Sequence, residues 1–170
     1  MHVVPNALPF DSGQFTRTEP DFSKLVYAGG LSHQKDIEML DGLDVTYFGG
    51  LKGSMTFPLE WYMTAYDGMG VSLVPLEAST FNSCKSNLKV LEAGAKDLAC
   101  MCSNVLPYSN ARDRGKVLLT EDFQWDLGLL SEGELRDSAE ALAEHVREHY
   151  HLDRVNKMRK EILEHYCKNG

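Results

Sequence analysis

The stretch from Ser79 to Ser103 reads STFNSCKSNLKVLEAGAKDLACMCS, and its reading decides the fold. A polar loop, Ser79-Thr80-Phe81-Asn82-Ser83, runs into a helical pattern that begins near Lys85. Leu88, Leu91 and Ala95 fall at i, i+3 and i+7 and mark one apolar face, while Lys85, Lys89 and Glu92 mark another. Ahead of the loop, Val71-Ser72-Leu73-Val74 reads as a buried strand, and Ala99-Cys100-Met101-Cys102 reads as the next one. Strand, loop, helix, strand is one βαβ unit, which packs right-handed. A helix that starts at the carboxyl end of a parallel strand leaves backbone N–H groups pointing outward, with a partial positive charge behind them. Such a place suits an anion. Ser83, Ser86 and Asn87 add short donors there, and Lys85 and Lys89 add cations. The chemistry fits a phosphate or diphosphate, with Glu92 one turn on to accept from a sugar hydroxyl. An ordinary surface helix with a solvated lysine face has the same spacing.

The rest of the chain extends this unit. Leu25-Val26-Tyr27-Ala28 is a short apolar run ended by Gly29-Gly30, a strand and a tight turn. A helical patch from Gln34 to Leu40 follows, with Ile37 and Leu40 inward. Val45-Thr46-Tyr47-Phe48 is the next strand, again ended by a glycine pair. Pro58 suits the first turn of a helix, which carries Leu59, Tyr62 and Ala65 or Tyr66 inward. Lys116 to Leu119 is a fifth strand. Ser131-Glu132-Gly133-Glu134 has capping-box form and opens a helix with Leu135, Ala139, Leu142 and Val146 on one face. A last helix, Leu152 to Tyr166, turns Val155, Met158, Ile162 and Tyr166 inward. About five strands alternating with helices, closed by two C-terminal helices, imply a doubly wound α/β domain with a parallel sheet. Ligands in such sheets bind outside the carboxyl ends of the strands, and the glycine-rich and polar connections all fall on that edge. Residues 1–23, with little periodicity, read as a hinge-like lead-in segment outside the core, and residues 24–170 as the domain.

Composition narrows the function. The chain has 170 residues, 43% apolar and 25% charged, which is ordinary for one globular domain. A net charge of -8 argues against a nucleic-acid partner. No apolar run approaches the roughly 18 residues of a membrane span, and the first residues are not a secretory signal. Cys84, Cys100, Cys102 and Cys167 make no metal pattern and read as buried free thiols of a cytoplasmic protein. His145 and His149 lie at i, i+4 but lack a third ligand, so no metal is expected.

The chain resembles the C-terminal, nucleotide-sugar-binding, Rossmann-like domain of GT-B glycosyltransferases of the group 1, retaining superfamily. Four segments carry the likeness: Val3-Val4-Pro5-Asn6, like the family's hinge; Leu25 to Asp36, LVYAGGLSHQKD; Tyr62 to Pro75, YMTAYDGMGVSLVP; and Cys84 to Ser103 with Pro107-Tyr108 after it. The resemblance implies a hexosyltransferase that uses a nucleotide-sugar, with a UDP or GDP base, as donor substrate and has no separate cofactor. It implies that Lys35 contacts the donor diphosphate, beside Gly29 and Gly30, and that Lys85, Ser86 and Asn87 present backbone N–H groups to it. It implies that Glu92 is the second glutamate of the Glu-x7-Glu motif, which binds the ribose. Two positions depart from the family. Gly30 stands where a basic residue follows the first strand, and Cys84 stands where the first glutamate faces the transferred sugar. Lys85 and Lys89 are placed to replace the lost cation. No catalytic residue is assigned. The likeness begins at the family's hinge, so an N-terminal acceptor domain, or a partner chain that supplies it, is expected for transfer. The acceptor in such a pair can be held at a membrane. A non-catalytic nucleotide- or sugar-binding module is the alternative within this fold, and a flavodoxin or receiver domain is the alternative outside it. A receiver would need an acidic cluster at the strand ends, which Asp67 and Glu77 do not make.

Overall fold

A computed structural model describes residues 4–56, 58–110, 113 and 115–169, with the side chains of residues 59, 60, 168 and 169 excepted. Val3 and the Leu59 side chain, both assigned roles above, lie outside the described residues.

Five short apolar runs form one all-parallel sheet. They are β1 (Leu25–Ala28), β2 (Val45–Phe48), β3 (Val71–Val74), β4 (Ala99–Ser103) and β5 (Leu118–Thr120), in the order β2-β1-β3-β4-β5. The expected doubly wound α/β architecture is therefore present. The fifth strand starts two residues later than the Lys116–Leu119 run suggested and ends one later, at Thr120. The order reverses between β1 and β3, and a crevice opens at such a switch point. Side chains alternate across the sheet, as the two-residue period requires. Val26, Ala28, Val74, Cys100 and Cys102 join one core layer, and Tyr27, Val71, Leu73, Ala99 and Met101 join the other.

The helices are α1 (Thr80–Ser83), α2 (Leu88–Ala95), α3 (Phe123–Leu129), α4 (Glu132–Tyr150) and α5 (Leu152–Asn169). The single helix expected from Lys85 is two pieces. Ser79 caps α1 by accepting from the Asn82 N–H at 3.1 Å, and Ser83 Oγ bonds back to the Ser79 carbonyl at 2.9 Å. Short polar side chains of this kind compete with helix propagation, and the chain turns through residues 84–87 before α2 starts. The apolar face of α2 is also wider than Leu88, Leu91 and Ala95. Leu88 is 38% exposed, whereas Val90, Leu91, Ala93 and Ala95 are buried, because α2 lies against the sheet on one side and α4 on the other. Gly94 meets α4 so closely that an added Cβ would stand 2.7 Å from Val146 Cγ2.

The capping box at Ser131 forms as its sequence predicts, with both reciprocal bonds. The segment before β3 is a run of 3₁₀ turns, Leu59–Tyr66, with Ala65 and Tyr66 buried as expected. The patch before β2 is likewise 3₁₀, Asp36–Leu40, with Ile37 and Leu40 buried. Three further expectations are corrected. The lead-in segment contributes to the core: Leu8, Phe15 and Phe22 are buried, and Leu8 is bridged to His151 by backbone bonds. Tyr166 is 59% exposed, because only the first part of α5 packs on the body, at Val155. Cys84 and Cys167 are exposed, and only Cys100 and Cys102 are the buried free thiols that were expected of all four.

Candidate functional site

β1 ends at Ala28, and Gly29-Gly30 leads the chain off the sheet at the switch point. The glycine at 29 has a steric reason. A Cβ there would lie 2.5 Å from Lys89 Nζ and 2.6 Å from the Tyr27 hydroxyl. Lys89 reaches across from the first turn of α2, donates to the Ala28 carbonyl and sets its ammonium 4.2 Å from the centre of the Tyr27 ring. That arrangement combines a cation–π contact with a charged hydrogen bond. Burial brings the Lys89 pKa down to about 8.

Around this lysine lies a cleft of about 300 Å³, lined among others by Gly29, Gly30, His33, Tyr62, Lys85, Ser86, Lys89, Glu92 and Tyr108. Glu92 is 7% exposed. Its Oε2 accepts from Tyr66 at 3.0 Å and from Tyr62 at 3.3 Å, while Oε1 takes no bond among the described residues. Burial raises the Glu92 pKa, against the opposing pull of Tyr66, Lys89 and Tyr62. His33 bonds the buried Asp36 through Nδ1 at 2.7 Å, and Asp36 accepts from the Glu77 N–H at 2.9 Å. Burial, with Lys89 and Lys85 nearby, lowers the His33 pKa despite Asp36, so the ring is neutral at neutral pH.

The turn at 84–87 forms the other wall. The backbone N–H groups of Ser86, Asn87, Leu88 and Lys89 donate no hydrogen bond to any described residue. Asn87 holds the N-cap position of α2 yet makes no capping bond. Its side chain is turned to Asp113 instead. Beyond Lys85 and Ser86 a second, larger lobe of about 580 Å³ opens, lined by residues that include Asn6, Cys84, Asn87, Asn110 and Tyr150. Beneath it Asp113 is 1% exposed and gathers the Asn87 amide at 2.7 Å, the Asn110 amide at 2.8 Å, the Tyr150 hydroxyl at 2.5 Å and the His145 Nε2 at 3.0 Å. Burial alone would raise this carboxyl, but the bonds from Asn110, Tyr150, His145 and Asn87 outweigh it and hold the pKa below the usual value.

Of the residues singled out in the sequence, the structure brings Gly29, Gly30, Lys85, Ser86, Lys89 and Glu92 together around one cleft, and Asn87 lines the adjoining lobe. Lys35 is exposed on the preceding loop and does not line either space. His145 spends Nε2 on Asp113. Among the described residues the group with metal-ligand spacing is Asp11, His151 and Asp153, with both aspartates exposed. Sequence reasoning missed His33, Tyr62, Tyr108, Asn110, Asp113 and Tyr150 as site residues. A signal existed for two partners of Asp113: His145 and Tyr150 fall among Leu142 and Val146 on the buried side of α4, where polar atoms require a buried partner.

No family model and no curated protein matches the sequence. Solved structures do. Sucrose-phosphate synthase from Thermosynechococcus elongatus superposes with a TM-score of 0.69 at 12% identity, over 99% of this chain and 53% of that one. A chain of the GtfA/B complex superposes with a TM-score of 0.59 at 16% identity, over 94% of this chain and 39% of that one. The fold is that of a GT-B C-terminal domain. The chain spans about half the length of its sucrose-phosphate synthase neighbour and less of the other. No helix among its described residues is long and apolar enough to cross a membrane.

Proposed function

We propose that this domain is the nucleotide-sugar-binding half of a glycosyltransferase, and that the donor diphosphate lies across the N-terminus of α2. The observation that carries the reading is the row of four backbone N–H groups, Ser86 to Lys89, that donate to no described residue and lie along the cleft and lobe that hold Lys85 and Lys89. Amide donors and a helix N-terminus stabilise an anion without any reorganisation. Glu92 Oε1 is placed to accept from a ribose hydroxyl, while Tyr62 and Tyr66 fix the carboxylate from behind. Lys89 takes over the role that the resemblance gave to a basic residue at Gly30. Lys35, exposed and outside the cleft, is assigned no phosphate contact here.

The chemical role follows from these groups. Breaking a glycosyl–phosphate bond leaves negative charge on the diphosphate, and Lys85, Lys89 and the four N–H groups supply its stabilisation. Transfer also needs an acceptor held in attack geometry. In this proposal a second domain or a partner chain provides it. That the GtfA/B neighbour is a complex makes a partner chain a reasonable arrangement. A second reading, a binding module without transfer, is favoured by Cys84 standing in the larger lobe at the position of the missing glutamate.

Calorimetric titration with UDP, GDP and ADP, beside a Lys85→Ala/Glu92→Ala variant, tests the proposal. Binding of one nucleotide that the variant loses supports it and identifies the base. Failure of all three to bind sinks it. Adding the acceptor-holding half then separates the two readings, since only the first gains transfer.

A further inference from the structure

An asparagine at a helix N-cap ordinarily turns its side-chain oxygen onto the helix's own first N–H groups. Asn87 does not. Its amide donates to Asp113 Oδ2 at 2.7 Å and faces the Tyr150 hydroxyl at 3.4 Å. Its backbone, at φ -85° and ψ 21°, is also away from the extended conformation that a capping residue adopts. Asp113 is a buried carboxylate that the proposed chemistry does not otherwise use. Of its side-chain partners among the described residues, Asn87, Asn110 and Tyr150 line the larger lobe. Asn110 is tied twice, since its Oδ1 also accepts from the Asp113 N–H at 3.1 Å. His145 anchors the carboxylate to α4.

We propose that Asp113 is a positioning residue for the anion site: it holds Asn87 in a non-capping state and so keeps the first N–H groups of α2 open to a diphosphate. The inference rests on the diphosphate reading above. Its physical content is a competition. The same donors, chiefly the Lys89 N–H, serve either a side-chain cap or the ligand. If Asp113 releases Asn87, the residue swings to the extended conformation and caps its own helix. The ligand must then displace an intramolecular acceptor. A cap contributes about 1 kcal/mol, which corresponds to about a fivefold loss of affinity.

The test uses inorganic pyrophosphate and the three nucleoside diphosphates as probes, with melting temperatures as a folding control. Asn87→Ser introduces a capping side chain too short to reach Asp113, so affinity falls about fivefold with the fold intact. Asn87→Ala keeps the backbone N–H offered to the ligand and has no side chain to cap with, so it loses less affinity than Asn87→Ser. Asp113→Ala weakens binding as Asn87→Ser does, and the Asp113→Ala/Asn87→Ala double variant recovers it. A merely structural role for Asp113 would give a double variant at least as weak as the single one. Asp113→Asn retains an oxygen for the Asn87 amide, and His145 can accept from the new amide through its other tautomer, so affinity is kept. The Asn87 pair carries the test by itself if Asp113→Ala does not fold. Equal losses in Asn87→Ser and Asn87→Ala overturn the inference. So does tighter binding in Asp113→Asn, which would mean that the charge of Asp113 opposes the anion. In both cases the parent still binds, and the diphosphate reading stands. A parent that binds none of the probes removes both.

Discussion

Lys89 and Gly29 occupy one place: the ammonium of the lysine stands where the side chain of any other residue at 29 would begin. The clash is with two side chains, the flexible end of Lys89 and the ring of the buried Tyr27, so relieving it takes both a moved lysine and a shifted ring. Gly29→Ala is therefore expected to cost about 1–3 kcal/mol of stability through overpacking, and, where it folds, to bind diphosphate about tenfold more weakly, as the loss of one charged contact would do. Affinity equal to that of the parent would show that Lys89 has no part in the site.

The lowered pKa of Lys89 gives the site a pH signature. Its value, about 8, lies below the ordinary 10.5. The charged form that binds an anion is therefore lost as pH rises through about 8. Diphosphate affinity should fall from pH 7 to pH 9, by no more than tenfold per unit for one linked proton. At pH 8 binding should take up a proton, visible as a dependence of calorimetric enthalpy on the buffer. The effect on stability has the opposite sign. Between about 8 and 10.5 the unfolded chain holds more protons on this group than the folded one, so its contribution to stability rises with pH across that window. A Lys89→Met variant should show neither dependence.

Glu92 separates nucleoside from phosphate. Glu92→Gln keeps an acceptor for Tyr66 but removes the charge that meets a ribose hydroxyl. Nucleoside diphosphates should bind about tenfold more weakly, in keeping with about 1.5 kcal/mol for a hydrogen bond to a charged group. Inorganic pyrophosphate should be unaffected or bind slightly better. The carboxyl has a raised pKa, so the folded protein holds a proton that the unfolded chain gives up. The parent accordingly loses stability as pH rises from the usual glutamate value to the raised one, and Glu92→Gln should not. Equal losses for nucleotide and pyrophosphate would count against a ribose contact.

Gly94 is the closest approach of α2 to α4. Gly94→Ala would push a methyl against Val146 and Leu142. Overpacking of this kind costs about 1–3 kcal/mol, which chemical denaturation would resolve. A stabilised variant, as helix propensity alone would favour, would mean that α4 yields at this contact.

The sheet and its edge were legible because they rest on short-range signals. Short apolar runs, two of them ended by glycine pairs, specify the parallel strands, and Lys89 and Glu92 needed only helical spacing to share a face, whereas Lys85 reaches the same cleft from the turn before α2. The break between α1 and α2 was less legible, since Ser83, Ser86 and Asn87 are tolerated in a helix and the turn is decided by what they bond. Asp113 was invisible for a related reason. Nothing local distinguishes a surface aspartate from one that collects donors from residues 87, 110, 145 and 150. Lys35, matched to the family's lysine by motif position alone, is exposed and does not line the cleft. Tyr166 failed because a helical stripe records amphipathicity, and the body of the domain ends before the stripe does.

The backbone bonds between Leu8 and the junction of α4 with α5 have a practical meaning for assembly. They fix the path of the segment that carries Val4, Pro5 and Asn6 along the rim of the larger lobe. A module joined ahead of that rim is delivered to the cleft by the tether itself. Its encounter with the bound donor becomes intramolecular, at an effective concentration in the millimolar range for a short flexible link, so even a weak acceptor-holding partner would be saturating once covalently attached there.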